Sequence, residues 1–153
     1  MTPTHSQKAL RVHRTHLLPD DVCPTCGTTM VEARGRLRLP VNGEKVSVPA
    51  VSHLRCPKCH EVILRFEDAR RLSWDAIAIY RRKHDLLSAE EIRAVRKQFG
   101  LTQGELARLL HLGANTVSRW ESGRNVQTAA MDVLVRLIRD LPGSIEYLRR
   151  HAA

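Results

Sequence analysis

The chain has 153 residues, 25 Lys and Arg against 16 Asp and Glu, a formal net charge of +9, and only 4% aromatic residues. That length holds one ordinary domain or two small ones, and so few aromatic side chains disfavour a single large core. No apolar run approaches the roughly 18 residues of a membrane helix, nothing near the start reads as a secretory signal, and the charge favours polyanionic partners.

The chain is therefore expected in the cytoplasm, where thiols stay reduced and cysteines bind metal more often than they pair. Residues 1–20 lack periodicity and read as a flexible basic arm. His5, His13 and His16 within it are not at a tight metal-ligand spacing.

From Val22 to about Phe66 the pattern is that of strands. Arg36, Leu37, Arg38 and Leu39, then Val46, Ser47 and Val48, alternate polar with apolar. Asn42 and Gly43 between the runs supply the positive φ angles of a tight hairpin turn. Cys23-Pro24-Thr25-Cys26 precedes this hairpin and Cys56-Pro57-Lys58-Cys59 follows it.

A C-x2-C pair places two sulfurs on one tight turn, and two pairs supply the four thiolates of a closed, tetrahedral structural Zn2+ site. The candidate ligands are Cys23, Cys26, Cys56 and Cys59, for one zinc per chain. The 29 residues from Gly27 to Arg55 exceed the usual zinc-ribbon gap, and the hairpin returns the chain to its starting point. The N–H groups of Gly27 and His60, just past each pair, are expected to point at the sulfurs. A module of roughly 45 residues buries too little to fold unaided, and structural zinc contributes on the order of 10 kcal/mol. Loading it takes the formal charge from +9 to about +7. A redox-active C-x-x-C belongs in a βαβ context that is missing here.

At Phe66 the period changes, and a helix is predicted to Lys83. Leu72, Ala76, Ile79 and Tyr80 form one stripe, opposite Arg71, Asp75 and Arg82. The stripe faces a core or a partner groove. Residues 67–87 thus link a cysteine module, 21–66, to a helical module, 88–153.

The helical module opens with a capping box, Ser88 to Glu91, before Ile92, Val95 and Phe99, and Gly100 ends that helix. A second box runs from Thr102 to Glu105, followed by Leu106, Ala107 and Leu110. After a break at His111 to Gly113 a short helix is predicted from Ala114 to Ser122. Thr128 caps a longer helix carrying Val133, Leu134, Leu137 and Ile138, Pro142 and Gly143 stop it, and Ser144 begins another. The fold class is α+β: a small β-hairpin zinc-binding domain, then an all-α helix-turn-helix domain.

Residues 101–121, LTQGELARLLHLGANTVSRWE, carry the helix-turn-helix, whose second helix enters the major groove of double-stranded DNA. Ala107 and Val117 lie where the two helices cross, and Trp120 is core. Asn115, Ser118 and Arg119 share the outward face. Asn bonds N6 and N7 of adenine and Arg bonds O6 and N7 of guanine, each worth about 1–3 kcal/mol of discrimination. Thr116 and Ser118 complete the DNA-facing set, while Gln103 and Arg124 are placed for phosphates. Capping by Asn115 and solvation of Arg119 are the competing readings. Glu121 is expected to pair with a nearby Arg, and His111 stands where the turn favours Gly, a position His tolerates. No Ser/His/Asp set, phosphate-binding glycine loop or carboxylate pair recommends an enzyme.

The C-P-x-C pairs about thirty residues apart, the hairpin, the linking helix and the Asn115…Ser118-Arg119-Trp120-Glu121 helix together resemble the MqsA-type antitoxins, whose amino-terminal part is the YgiT-type zinc finger. The resemblance spans about Val22 to Arg150. It implies a bacterial type II antitoxin that binds a toxin, typically a small ribonuclease, through its zinc domain. It also implies a homodimer that represses its own operon at a palindromic operator. A stand-alone regulator with the same parts is the alternative. On this reading a Ser88–Ala153 fragment binds DNA alone, and either the linking helix or the helix after Thr128 forms the dimer seam.

Overall fold

The computed structural model describes residues 21–151; the basic arm, with His5, His13 and His16, lies outside the described residues. Strands β1 (Val31–Val41), β2 (Glu44–Arg55) and β3 (Val62–Ile63) form one antiparallel sheet in that order. Helices α1 (Phe66–Lys83), α2 (Ala89–Gln98), α3 (Gln103–Leu109), α4 (Thr116–Glu121), α5 (Ala129–Asp140) and α6 (Ser144–His151) follow. The architecture is thus α+β, a small sheet followed by helices.

The hairpin closes on the pair Val41 and Glu44, with Asn42 at φ 47° and Gly43 at φ 82°, the two positive angles that a two-residue turn requires. The sequence hides one feature. Gly35 pairs with Val51 and Leu37 with Val48, so Pro49 and Ala50 of β2 together oppose the single Arg36. This bulge shifts the inward positions from Val46 and Val48 to Val51 and His53, which keeps one apolar face continuous. Ala50 takes φ 54° there, a strained angle for a residue with a Cβ, and its carbonyl accepts a hydrogen bond from Arg34 Nε at 2.8 Å.

Helix α1 lies across that face. Leu72, Ala76 and Ile77 are buried with Val41, Val46, Val48, Val51 and Leu64. The stripe is rotated from the expected one: Ile79 and Tyr80 are only half-buried, and Ile77 and Arg81 take the inner positions. The helix therefore spends its apolar face on the hairpin. Glu44, at the start of β2, binds Lys83 and His84 at its far end.

The helical core gathers Leu87, Ile92, Val95, Leu101, Leu106, Ala107, Leu110, Val117, Trp120, Val135, Ile138 and Ile145. Both capping boxes form, at Ser88 with Glu91 and at Thr102 with Glu105. On α5 the inner residues are Asp132, Val135 and Ile138, and Val133 and Leu137 face outward.

Asp132 ties α5 to the segment between α1 and α2. Its Oδ1 accepts from the Leu87 N–H at 2.7 Å and from Gln127 Nε2 at 2.9 Å, and Gln127 also donates to the Leu87 carbonyl at 2.7 Å. Arg136 donates to Asp132 Oδ2 and to the Asp85 carbonyl. A fragment beginning at Ser88 would therefore cut into the helical core, since Leu87 is 1% exposed within it.

Candidate functional site

Two loops bring the four cysteines together. Cys23 and Cys56 are buried, Cys26 and Cys59 half-buried, and the four Sγ atoms lie within 4.8 Å of one another. Three of the separations are 3.5, 3.5 and 3.6 Å. A tetrahedral ion with bonds of about 2.3 Å sets its sulfurs roughly 3.8 Å apart, so the donor set and its spacing fit a metal. Met30 and Leu54 pack beneath it. At Cys26 the hydroxyl and N–H of Thr28 lower the thiol to about 6. The N–H groups of Cys59 and Lys58 lower Cys56. At Cys59 the Glu61 N–H pulls down, but burial and the three neighbouring sulfurs push it up to about 12. One cluster cannot hold four bare thiolates, and a divalent cation removes that repulsion.

The turns differ in detail from the expectation. Gly27 and His60 adopt positive φ, and their N–H groups close the turns on the carbonyls of Cys23 and Cys56 at 2.8 and 3.0 Å. Residues one step further on, Thr28 and Glu61, turn their N–H groups toward sulfur. The left-handed residue after each pair is what rotates the next N–H inward.

The second site is the α3–α4 pair. Ala107 (1% exposed) and Val117 (0%) fill the crossing, and Trp120 anchors α4 to the core. His111 takes φ 52° in the turn. The helix is shorter than expected, Thr116 to Glu121, with Asn115 at its N-cap position. Yet the Asn115 side chain makes no capping bond and is exposed, as are Arg119 and Arg124, while Thr116 and Ser118 are half-buried. Arg119 has no ion pair among the described residues. Arg124 Nε donates to Ser122 at 2.9 Å, and Gln103 Nε2 donates to Glu121 at 2.8 Å. The structure therefore groups Asn115, Thr116, Ser118 and Arg119 on one short helix, with Gln103 and Arg124 at its flanks.

A family model for MqsA, the antitoxin component of a bacterial toxin–antitoxin system, matches residues 21–149. The chain belongs to the MqsA antitoxin family. The chain is also similar to antitoxin HigA-2 of Vibrio cholerae serotype O1, at 34% identity over 62 residues, 40% of this chain and 60% of that one. It thus spans about three-fifths of the curated relative's length.

Sequence reasoning missed much of what holds α4. The Glu121 side chain is 1% exposed, and Arg96 grips it with Nε at 2.6 Å and Nη2 at 2.9 Å. The expected Arg partner is thus present, and Gln103 joins it. Arg93 Nη2 caps the Glu121 carbonyl at 2.8 Å, and Arg81 of α1 donates to the Trp120 carbonyl at 3.1 Å. The signal for Asp132 was legible: a charge three residues before Val135 and six before Ile138 sits on the apolar stripe. Arg81 gave none, because its partners lie 39 and 44 residues away. No helix of the described residues is long and apolar enough to cross a membrane.

Proposed function

We propose that this antitoxin is a non-enzymatic, zinc-containing homodimer that represses its own operon at a palindromic operator and neutralises a toxin, a small ribonuclease, through its cysteine module. The observation that carries the DNA reading is the pairing of an exposed Asn115 and Arg119, whose side chains have no hydrogen bond or ion pair among the described residues, with a buried Val117 and Trp120 on the other side of the same helix. A helix so anchored presents two bidentate base-reading side chains four residues apart. Cys23, Cys26, Cys56 and Cys59 would hold Zn2+, which would supply folding energy and no chemistry. Thr116 and Ser118 would contact the duplex beside the bases, and Gln103 and Arg124 would reach phosphates.

The dimer seam falls on α5. The stripe of α1 is used by the hairpin, whereas Val133, Leu137 and Leu141 are 56%, 44% and 53% exposed along one side of α5 and its end. A two-fold axis there would relate two α4 helices for half-sites about 34 Å apart.

The test uses DNA from immediately upstream of the antitoxin's own gene. Asn115→Ala with Arg119→Ala is expected to weaken specific binding by roughly thirtyfold or more, at about 1–3 kcal/mol for each contact, with zinc content and helicity unchanged. Loss of zinc in that variant would mean that the two sites are not separate. In cells, co-expression with the product of the adjacent gene should restore growth and yield a co-purifying complex. Rescue should survive the Asn115→Ala/Arg119→Ala change, and rescue lost with DNA binding would contradict the division of labour.

A further inference from the structure

The carboxyl end of α4 leaves four carbonyls to be satisfied, as every helix end does. Ser118 O accepts from the Ser122 N–H, and Arg119 O accepts from the N–H groups of Arg124 and Asn125. Glu121 O accepts from Arg93 of α2. Trp120 O accepts from the Gly123 N–H and from Arg81 Nη2, which also donates to Asn125 O at 3.2 Å. One guanidinium from the hairpin-bound helix thus spans the last turn of α4 and the loop that follows it.

That contact does not stand alone. The loop also sends Val126, 6% exposed, into the apolar cluster between α1 and the hairpin, and Gly123 lies against Trp74 of α1. Beside these points a groove of about 600 Å³ separates α1 from α2, lined among others by Trp74, Arg82, Glu90 and Arg93. Arg81 is 5% exposed, feels the carboxylates of Glu90 and Asp132 only from a distance without an ion pair among the described residues, and its Nε finds no acceptor there. A buried cation with an unsatisfied donor is a poor way to stabilise a core, where an apolar residue of similar volume does better. What it gains is geometric: one nitrogen of a rigid planar group, Nη2, holds two carbonyls at once.

The geometry points to Arg81 as a positioning residue for DNA recognition: α1, seated on the cysteine-module hairpin, holds α4 in its base-reading pose, so operator affinity depends on that lobe being docked. This rests on the DNA-binding reading above. A released α4 end samples other poses, and apparent affinity falls by the fraction of molecules in the competent one. Losing a charge-assisted bond of this kind corresponds to roughly tenfold.

The experiment uses the full-length, zinc-loaded chain. Arg81→Gln keeps a donor but is shorter and removes the charge, and Arg81→Lys keeps the charge but is one atom shorter and lacks the rigid guanidinium plane. Binding to the upstream DNA is followed by fluorescence anisotropy across a salt series, and amide exchange by mass spectrometry. Arg81→Gln is expected to raise Kd roughly tenfold with an unchanged salt slope, because Arg81 releases no counterions. Exchange across 118–126 should quicken while α2 keeps its protection, and Arg81→Lys should fall between wild type and Gln. If Arg81→Gln loses zinc or helicity, Arg81→Lys carries the same readouts. Wild-type affinity together with unchanged exchange in a folded variant overturns the proposal. If the unmodified chain and Asn115→Ala/Arg119→Ala bind this DNA alike, the DNA reading fails instead, and the exchange pattern still decides whether Arg81 holds α4.

Discussion

Cys56→Ser is expected to abolish metal binding and melt the hairpin lobe at ordinary temperature. Cys56 is fully buried, and its sulfur sits 3.5 Å from that of Cys26. A serine hydroxyl cannot replace a thiolate, so the remaining three cysteines would hold Zn2+ weakly or not at all. Metal of this type contributes on the order of 10 kcal/mol, more than a lobe of this size retains without it. The sequence suggests that the helical module is untouched by such a loss. The structure predicts a spread: α1 rests on the hairpin, and Arg81 and Val126 carry the disturbance to the loop after α4. Zinc should fall from one per chain to none, the calorimetric transition of the lobe should vanish, and operator affinity should drop by roughly the tenfold assigned to Arg81. Chelation of the native chain should reproduce all three changes. A Cys56→Ser protein that retains one zinc per chain and melts as the native chain does would remove Cys56 from the ligand set.

What the sequence made legible is local. Asn42 and Gly43 declare their turn because the backbone angles they need are rare. Ser88, Thr102 and Thr128 declare helix starts through their own hydroxyls, each of which accepts from the N–H three residues on. The cysteine spacing declares the candidate metal centre because two turns and four sulfurs are enough to form it. The bulge at Ala50 has no such signal, since alanine has no preference for φ 54° and the shift exists only to keep the hairpin's inner face in step with α1. The same holds for the rotation of α1: an amphipathic helix shows that it has an inner face, but its neighbours choose which. On α5 a buried Asp132, bonded to Leu87 and Gln127, overrides the apolar count that would have placed Val133 and Leu137 inside. Gln103 reads as a phosphate ligand from its place in the first turn of α3, and its amide also donates to the buried Glu121, 18 residues away, a second role that its position alone does not announce.

Glu121→Ala is expected to be the most damaging single change in the helical module. Burial raises the pKa of this carboxyl, but the bonds from Arg96 and Gln103 and the charges of Arg96 and Arg93 outweigh it, leaving the group below its ordinary value of 4.5. Removing the carboxylate leaves Arg96, only 13% exposed at its side chain, as an uncompensated buried charge, a loss of about 3–5 kcal/mol. Glu121→Gln keeps the volume and should lose less, because the amide oxygen still accepts from Arg96. The same network fixes the pH response. With a folded pKa below the unfolded one, Glu121 stabilises the protein fully above pH 4.5, and that contribution disappears as the pH falls through the folded value. Asp132 behaves alike: burial raises it, Arg136, Gln127 and the Leu87 N–H pull it below its ordinary 3.8, and its contribution, complete above pH 3.8, goes as the pH falls through the folded value. Urea unfolding between pH 7 and pH 3 should therefore show stability falling steeply below about pH 4.5, and Glu121→Ala should flatten the upper part of that fall. A Glu121→Ala protein with wild-type stability at pH 7 and an unaltered acid limb would mean that Arg96 finds other acceptors, and that α4 is held by Val117, Trp120 and its capped carbonyls alone.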